Sequence, residues 1–270
     1  MRRESGIILI VILSLGDYMV SLTELVRYLN EMLTPDQFSD YCPNGLQIEG
    51  RPQVKKIVGA VTASHFVVDF AIRAQADAIL VHHGYFWRSE DPTIRGAKRT
   101  RLKSLLCHDV SLLAYHLPLD AHPVFGNNAQ LGHRLGLTCI GRFGPAGNKD
   151  IVMLGALNPP LTAAQFSTRI SAALGRVPLL LGDPSKIIER VAWCTGGAQN
   201  YFELALTQHV DAFLTGEVSE PSYHIARESG TCFFSAGHHA TERYGVQALG
   251  KQLTEQFQLE FEFVDEENPV

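Results

Sequence analysis

Apolar and polar residues alternate along this chain in a way that predicts strands and helices in turn. Runs rich in apolar residues at 56–62, 78–81 and 110–114 indicate buried strands, and amphipathic stretches with helical spacing lie between them. An earlier helix is predicted to begin after Ser21, because Ser21-Leu22-Thr23-Glu24 has the form of a capping box. Strands that alternate with helices predict an α/β fold with mixed sheets flanked by helices.

The same pattern occurs twice. Residues 58–84 and 191–217 each contain a strand, a turn of small residues, a helix, and an Asp-Ala pair that opens the next strand. We interpret the repeat as an internal duplication that produces two related α/β lobes. The predicted boundaries are an N-terminal extension at 1–18, a first lobe at 19–140, a connecting subdomain at 141–190 and a second lobe at 191–270, with one metal site shared by both lobes.

The N-terminal residues have their own pattern. An apolar run from Ile7 to Leu13 follows Arg2 and Arg3, as in a signal peptide, but it is too short to span a bilayer as a helix. The interpretation we prefer is an extension or a start assigned too early, with folded structure beginning near Met19. No membrane association is predicted.

Composition narrows the class of protein. The chain has 270 residues, a net charge of −5 and five cysteines, and it lacks a Cys-x-x-Cys pair. The charge argues against a general binder of polyanions. The odd number of widely spaced cysteines is typical of a reducing compartment, so we expect a cytoplasmic protein rather than a disulfide scaffold or zinc ribbon.

Histidines lie where the predicted strands end. His82 and His83 follow one apolar strand and His116 follows another, while His238 follows a strand in the second half. Functional groups in parallel α/β sheets gather beyond the carboxyl ends of the strands. Adjacent strand residues point to opposite faces, so the histidine pair can serve one site only if the strand breaks after it, and we expect Gly84 to provide that break.

Acidic residues accompany two of these histidines at the same spacing. Asp120 lies four residues after His116, and Glu242 lies four residues after His238. Imidazole and carboxylate together suit zinc, iron or manganese, and a bridging carboxylate would allow a pair of ions that activates water and binds a substrate oxygen. The alternative is that these are histidines at strand ends with a purely structural role. The candidate ligands are His82, His83, Asp120, His238 and Glu242, and the candidates for orienting ligands or transferring protons are His116, Glu217, His224 and His239.

Other signals are weaker. One predicted helix has a basic face formed by Arg95, Arg99 and Lys103, while its Leu102, Leu105 and Leu106 face the core. The basic face could bind phosphate or nucleic acid, although a solvated helix face is the simpler interpretation. The aromatic residues 85–87 could stack a base or pack in a core or interface. Cys194 is interpreted as an inert small hydrophobe, and no Walker or dinucleotide-binding motif follows a strand.

Several spaced motifs resemble one family in their order. They are NGLQIEG at 44–50, VTAS at 61–64, ADAILVHHGYFW at 76–87, HLPLDAHPVFGNNAQL at 116–131, DAFLTGE at 211–217 and GHHATE at 237–242. The chain is similar, from Met19 onward, to the short bacterial members of the NGG-one interacting factor three-like family. These proteins are also called GTP cyclohydrolase I type 2 homologues or dinuclear metal-centre hexameric proteins.

The resemblance implies a toroidal homohexamer of α/β subunits that binds two divalent metal ions per chain. The ligands carried over from the family pattern are His82, His83, Asp120, His238 and Glu242, whereas His239 stands where relatives often have an aromatic residue. The family name implies a metal-dependent hydrolase that acts on GTP or a similar nucleotide. His116 and Glu217 would then transfer protons. The alternative is a non-catalytic ring that handles metal or binds protein or nucleic acid.

Overall fold

The computed structural model of the chain describes residues 18–270. The predicted extension at 1–18 and the signal-peptide interpretation of its apolar run therefore lie outside the described residues, apart from Tyr18, whose side chain is exposed. No helix within the described range combines the length and the apolar character that crossing a membrane requires.

Strands and helices alternate along most of the described chain. The strands are β1 (Val20–Ser21), β2 (Gly45–Ile48), β3 (Gln53–Val54), β4 (Lys56–Thr62), β5 (Ala78–His83), β6 (Ser111–Ala114), β7 (Leu137–Pro145), β8 (Asp150–Thr162), β9 (Leu179–Leu181), β10 (Ile187–Trp193), β11 (Ala212–Thr215), β12 (Cys232–Ser235) and β13 (Glu260–Phe263). The helices are α1 (Leu22–Leu33), α2 (His65–Arg73), α3 (Gly96–Cys107), α4 (Leu117–Ala121), α5 (Asn127–Leu135), α6 (Ala163–Leu174), α7 (Phe202–Leu206), α8 (Glu220–Ser229) and α9 (His238–Phe257), with short 3₁₀ turns at Pro35–Gln37 and Gln199–Tyr201. The predicted mixed α/β class is confirmed.

The described chain divides into two compact units. The first contains the residues up to Pro35, Tyr41–His116 and Val246–Glu267. The second contains Asp36–Asp40, Leu117–Gly245 and Asn268–Val270. This division does not follow the boundaries predicted at 19–140, 141–190 and 191–270, because β7 and β8 pair in the same sheet as β10 and so bring residues 141–190 into the second unit.

The first unit is built on a sheet with the strand order β13-β4-β5-β6-β2. Strands β4, β5 and β6 run parallel to one another, and β2 pairs with β6 in the antiparallel direction. Residues that alternate along these strands bury one face of the sheet with α2 and α3, among them Val58, Ile79 and Leu112. The carboxyl ends of β5 and β6 therefore lie side by side.

The second unit is built on a sheet with the strand order β7-β8-β10-β11-β12-β9. Strands β10, β11 and β12 are parallel, and β8 and β9 flank them in the antiparallel direction. Both faces are covered, because Val191 and Trp193 belong to one apolar cluster while Ala192 belongs to another. A sheet buried on both faces accounts for the almost continuous apolar runs of its central strands.

An aspartate has the same local role in both sheets. The carboxylate of Asp77 accepts hydrogen bonds from the backbone N–H groups of Lys55 and Lys56 at 2.8 and 2.9 Å. The carboxylate of Asp211 accepts from those of Glu189 and Arg190 at 3.0 and 2.9 Å. Each aspartate thus ties the start of its own strand to the neighbouring parallel strand, at the beginning of β4 and in the middle of β10, as expected if the two strand–helix–strand segments arose by duplication.

Helix α3 differs in one respect from its prediction. Leu102 and Leu105 are buried as expected, but Leu106 is 59% exposed. The helix packs on the sheet through a narrow face, and Leu106 is one position beyond Leu105, so its side chain points about 100° away around the helix axis. The prediction that Leu106 faces the core was wrong.

The indole of Trp193 fills the space beside two glycines of the second unit. A Cβ atom placed on Gly132 of α5 would lie 2.6 Å from Cζ2 of the ring, and one placed on Gly155 of β8 would lie 2.8 Å from Cζ3. The indole N–H donates to the carbonyl oxygen of Asn128 at 2.8 Å. The ring therefore fixes the distance between α5 and the end of β10.

Gly132→Ala is expected to lower the free energy of unfolding even though alanine favours helices by about 1 kcal/mol. The added methyl group would overlap the indole of Trp193, and such overpacking costs about 1–3 kcal/mol. The midpoint of thermal unfolding should fall by several degrees. Gly141→Ala is the matched control, since no described atom lies within 4 Å of its added Cβ. An equal or higher midpoint for Gly132→Ala would contradict this packing.

Candidate metal centre

Three histidines meet at the ends of two neighbouring strands of the first unit. His82 and His83 end β5, and His116 follows the end of β6. The ring centroids of His82 lie 4.6 Å from His83 and 5.0 Å from His116, and those of His83 and His116 lie 5.7 Å apart. One ring nitrogen from each lies within 4.8 Å of the other two. Such a group of imidazoles has the spacing and chemistry of a transition-metal site.

The backbone and a hydroxyl group orient two of these rings. Nδ1 of His82 lies 2.9 Å from the carbonyl oxygen of Tyr115, which can only accept, so this nitrogen carries the proton. Nδ1 of His83 lies 3.2 Å from the hydroxyl oxygen of Thr62. A histidine that donates through Nδ1, as His82 does, has its lone pair on Nε2, and proteins usually orient histidine ligands of metals in this way.

Gly84 ends the strand for a reason different from the predicted one. The φ angle of Gly84 is not in the left-handed region. The residue with a left-handed φ is Phe86, two positions later, at 65°. A Cβ atom on Gly84 would instead lie 2.2 Å from Oε1 of Gln47 and 2.6 Å from Cβ of Ala114. Glycine is required there by close packing rather than by a turn conformation.

Acidic residues and a fourth histidine meet in the second unit. His238 and Glu242 lie one turn apart at the start of α9, Asp120 lies on α4, and Glu217 follows the end of β11. Nε2 of His238 is 3.1 Å from a carboxylate oxygen of Glu242, and Nδ1 is 2.7 Å from one of Glu217. Asp120 and Glu242 also bring carboxylate oxygens within 4.8 Å of each other. Both of these carboxylates are buried.

The environment of His238 favours a positive charge on the ring. Because Nδ1 donates to Glu217, a neutral ring would direct the lone pair of Nε2 at the oxygen of Glu242. Burial lowers the pKa of His238, but the hydrogen bonds and charges of Glu242 and Glu217 raise it, with a net value of about 9. A proton on Nε2 satisfies the two carboxylates, and a divalent ion would satisfy them in the same way.

Two buried side chains orient the carboxylate of Asp120. Its Oδ1 accepts a hydrogen bond from the amide of Asn127 at 2.8 Å and another from the hydroxyl of Thr195 at 3.2 Å. The carbonyl oxygen of the same Asn127 side chain accepts from the backbone N–H of Gly245 in α9 at 2.8 Å. Asn127 therefore links Asp120 to the helix that carries His238.

The turn after β10 packs directly on this group. The N–H of Gly196 donates to the hydroxyl of Thr241 at 3.0 Å, and that hydroxyl donates to the carbonyl oxygen of His238 at 2.9 Å. A Cβ atom on Gly196, whose φ is 66°, would lie 2.0 Å from Oε1 of Glu242. Four residues that support the site were not predicted from the sequence: Asn127, Thr195, Gly196 and Thr241. Two signals were present, the paired glycines after a strand and the two asparagines after Asp120.

Some predicted residues lie apart from these clusters. His224 pairs with Glu220 at 3.3 Å on the exposed side of α8. His239 is buried and, like His224, belongs to none of the potential metal-binding groups found in residues 18–270. Burial, and secondarily the charge of Asp120, raises the pKa of the Cys194 thiol well above its usual value, which agrees with an inert cysteine.

Acidic residues before α3 form ion pairs with some of the basic residues predicted to bind phosphate or nucleic acid, or near them. Arg95 pairs with Asp91 at 2.9 Å, and Lys98 pairs with Glu90 at 3.6 Å. These ion pairs reduce the positive potential that a nucleic-acid backbone would meet on α3.

The sequence pattern of the Duf34/NIF3 (NGG1p interacting factor 3) family matches residues 20–269. The chain belongs to this family. It is 54% identical over 251 residues to the "GTP cyclohydrolase 1 type 2 homolog" of Pseudomonas aeruginosa, an alignment that covers 93% of this chain and 99% of that protein. It is 51% identical to the protein of the same name from Escherichia coli K12 over 92% of this chain and 99% of that one.

A solved structure of a family member has the same fold. It was described as "protein ybgI, unknown function", is 50% identical to this chain and superposes with a TM-score of 0.89. The superposition covers 93% of this chain and all of that one. The resemblance inferred from the spaced motifs is confirmed, and the mixed α/β architecture is shared with a close relative.

Gly196→Ala is expected to destabilise the turn beside Glu242 by about 2–4 kcal/mol, since alanine adopts the left-handed region at a cost and its methyl group overlaps the carboxylate. The neighbouring Gly197→Ala is the matched control. Its added Cβ would lie 3.4 Å from the nearest atom, a carboxylate oxygen of Glu217, and its φ is not positive. Thermal unfolding of both variants measures the difference, and equal midpoints would contradict the described packing.

Proposed function

We propose that this protein is a metal-dependent hydrolase that binds two divalent ions per chain. The ligands are predicted to be His82 and His83 in the first unit and Asp120, His238 and Glu242 in the second. The donor set fits such ions, because mixed imidazole and carboxylate ligands suit zinc, iron or manganese. That both sets serve one dinuclear centre remains a prediction.

The contact between His238 and Glu242 is the observation that supports this proposal most. Nε2 of His238 lies 3.1 Å from a carboxylate oxygen of Glu242 and Nδ1 lies 2.7 Å from one of Glu217, so three side chains of the kinds that bind divalent ions meet at one point. Stability alone does not favour placing the buried carboxylate of Glu242 against a largely buried imidazole, because desolvating charged groups is costly. Bound divalent ions would supply Lewis acidity and lower the pKa of water to near neutrality.

His116 and Glu217 are proposed to transfer protons and to orient ligands. The His116 ring is close enough to His82 and His83 to exchange a proton with water or substrate at the cluster, and the same distances would also allow it to bind metal. Glu217 contacts Nδ1 of His238, where a carboxylate raises the basicity of a ligand and fixes its tautomer.

The substrate is proposed to be a nucleotide similar to GTP, opened hydrolytically in its base with release of formate. The name carried by relatives of about 50% identity supports this choice. A homohexamer is proposed on the family resemblance. A cytoplasmic location is proposed on the thiols of Cys107, Cys139, Cys194 and Cys232, which form no disulfide in the described chain.

Metal analysis of the purified protein should find about two divalent ions per chain. His82→Asn and Glu242→Gln should each remove metal and abolish formate release from GTP, since both substitutions replace a ligand without changing the side-chain volume greatly. Glu217→Gln should weaken metal binding by about 10–100-fold. His224→Ala, on the exposed side of α8, is the control and should retain metal and activity.

His116→Gln separates the two roles of this residue. If His116 transfers protons, the variant keeps its metal while turnover falls by about 10²–10⁴-fold. Loss of metal from this variant would identify His116 as a ligand instead. Full metal with no turnover of GTP or of other cyclic amides in the wild-type protein would favour the non-catalytic, metal-handling alternative. Unchanged metal content in His82→Asn and Glu242→Gln would contradict the site.

A further inference from the structure

Two of the three aromatic residues that follow Gly84 pack against basic side chains of α3. Tyr85 is buried, and the guanidinium carbon of Arg101 lies 4.8 Å from the centre of its ring. Phe86 is at the surface, with the ammonium group of Lys98 5.4 Å from its ring centre. Neither ring is in contact with the histidine cluster through any described ring pair.

Trp87 lies beside the histidine cluster. Its ring centroid is 5.0 Å from that of His116, at an interplanar angle of 83°, and 5.9 Å from that of His83. A second aromatic ring, that of Tyr41, lies 6.5 Å from His116 and is 60% exposed. The backbone N–H of Arg88 donates to the carbonyl oxygen of Tyr41 at 2.8 Å, which ties the two aromatic segments together.

The segment that carries Trp87 is held rigidly. The side chain of Gln47 accepts from the N–H of Tyr85 at 2.7 Å and donates to the carbonyl oxygens of Tyr85 and Pro43 at 3.1 and 2.8 Å. The indole N–H of Trp87 donates to the carbonyl oxygen of Gly84 at 3.2 Å. An aromatic ring with a fixed orientation loses little conformational entropy when it binds a ligand.

The backbone bears strain next to this ring. Phe86 has a φ of 65°, a conformation that is costly for a bulky residue. Such strain collects at ligand-binding segments, where the surrounding contacts hold it in place. Here the strained residue directs the chain so that Trp87 is adjacent to His83 and His116.

We infer that Trp87 is a substrate-binding residue, on which the planar base of a nucleotide stacks beside the histidine cluster. This inference rests on the proposed function, because the ring would place the base next to the proposed metal ligands. Aromatic side chains stack on all nucleobases, whatever their identity, because every base has a π face. Trp87 therefore contributes affinity for the base and not for the phosphates.

Intrinsic fluorescence can report this binding directly. The chain has two tryptophans, and the other one, Trp193, is buried in the second unit. GTP added to the metal-loaded protein should quench the emission. Trp87→Ala should weaken GTP binding, measured by calorimetry, by about fivefold or more, whereas Trp87→Phe should change it by less than about threefold. Tripolyphosphate, which has no base, should bind all three proteins alike.

Metal content, measured on each variant, keeps this inference separate from the proposed function. Equal GTP affinity in Trp87→Ala and wild type would overturn the inference, as would an equal loss of tripolyphosphate binding. Loss of metal from Trp87→Ala would show that the ring only supports the histidines, which also overturns it. A wild-type protein that holds its metal but does not bind GTP would refute the assignment of a nucleobase.

Discussion

The contact of His238 with two carboxylates is the constraint around which the candidate metal centre is built. The carboxylate of Glu217 accepts a hydrogen bond from Nδ1, and a carboxylate oxygen of Glu242 lies 3.1 Å from Nε2. The two carboxylates favour a positive charge on the imidazole, and they raise the pKa of His238 to about 9 in spite of its burial. Ionisable groups whose pKa values are perturbed by close neighbours are candidates for a functional site, and this group has ligand atoms close enough together to hold a metal ion.

The rest of the second unit serves to keep this contact in place. Thr241 connects the start of α9 to the turn at Gly196, and Asn127 connects the same helix to Asp120. Trp193, packed between two glycines, sets the position of the strand that leads into that turn. The ligand groups are therefore supported by packing and hydrogen bonds that allow little change of side-chain size.

Much of the site follows from the sequence, because histidine and acid residues placed after apolar strands must gather at the carboxyl edges of parallel sheets. His82, His83 and His116 meet for that reason. The supports could not be predicted in the same way. Whether Gly84 serves a turn or a close contact depends on Gln47, which is distant in sequence, and the same holds for Gly196 and Glu242.

The boundaries of the two compact units also could not be predicted from the sequence pattern. The repeat is visible in Asp77 and Asp211. Each compact unit is nevertheless assembled from several separate stretches of the chain, and residues 141–190 add strands to the second sheet instead of forming a separate subdomain. Pairing between strands that are far apart in the chain decides such boundaries, and local hydrophobic periodicity does not contain that information.

X-ray absorption spectroscopy of the zinc-loaded protein tests the central claim most directly. We expect ligand distances of about 2.0–2.2 Å with the multiple-scattering signature of several imidazoles, and a metal–metal distance of roughly 3.5–4 Å if the two ions form one centre. A shell of oxygen ligands without an imidazole signature would contradict it.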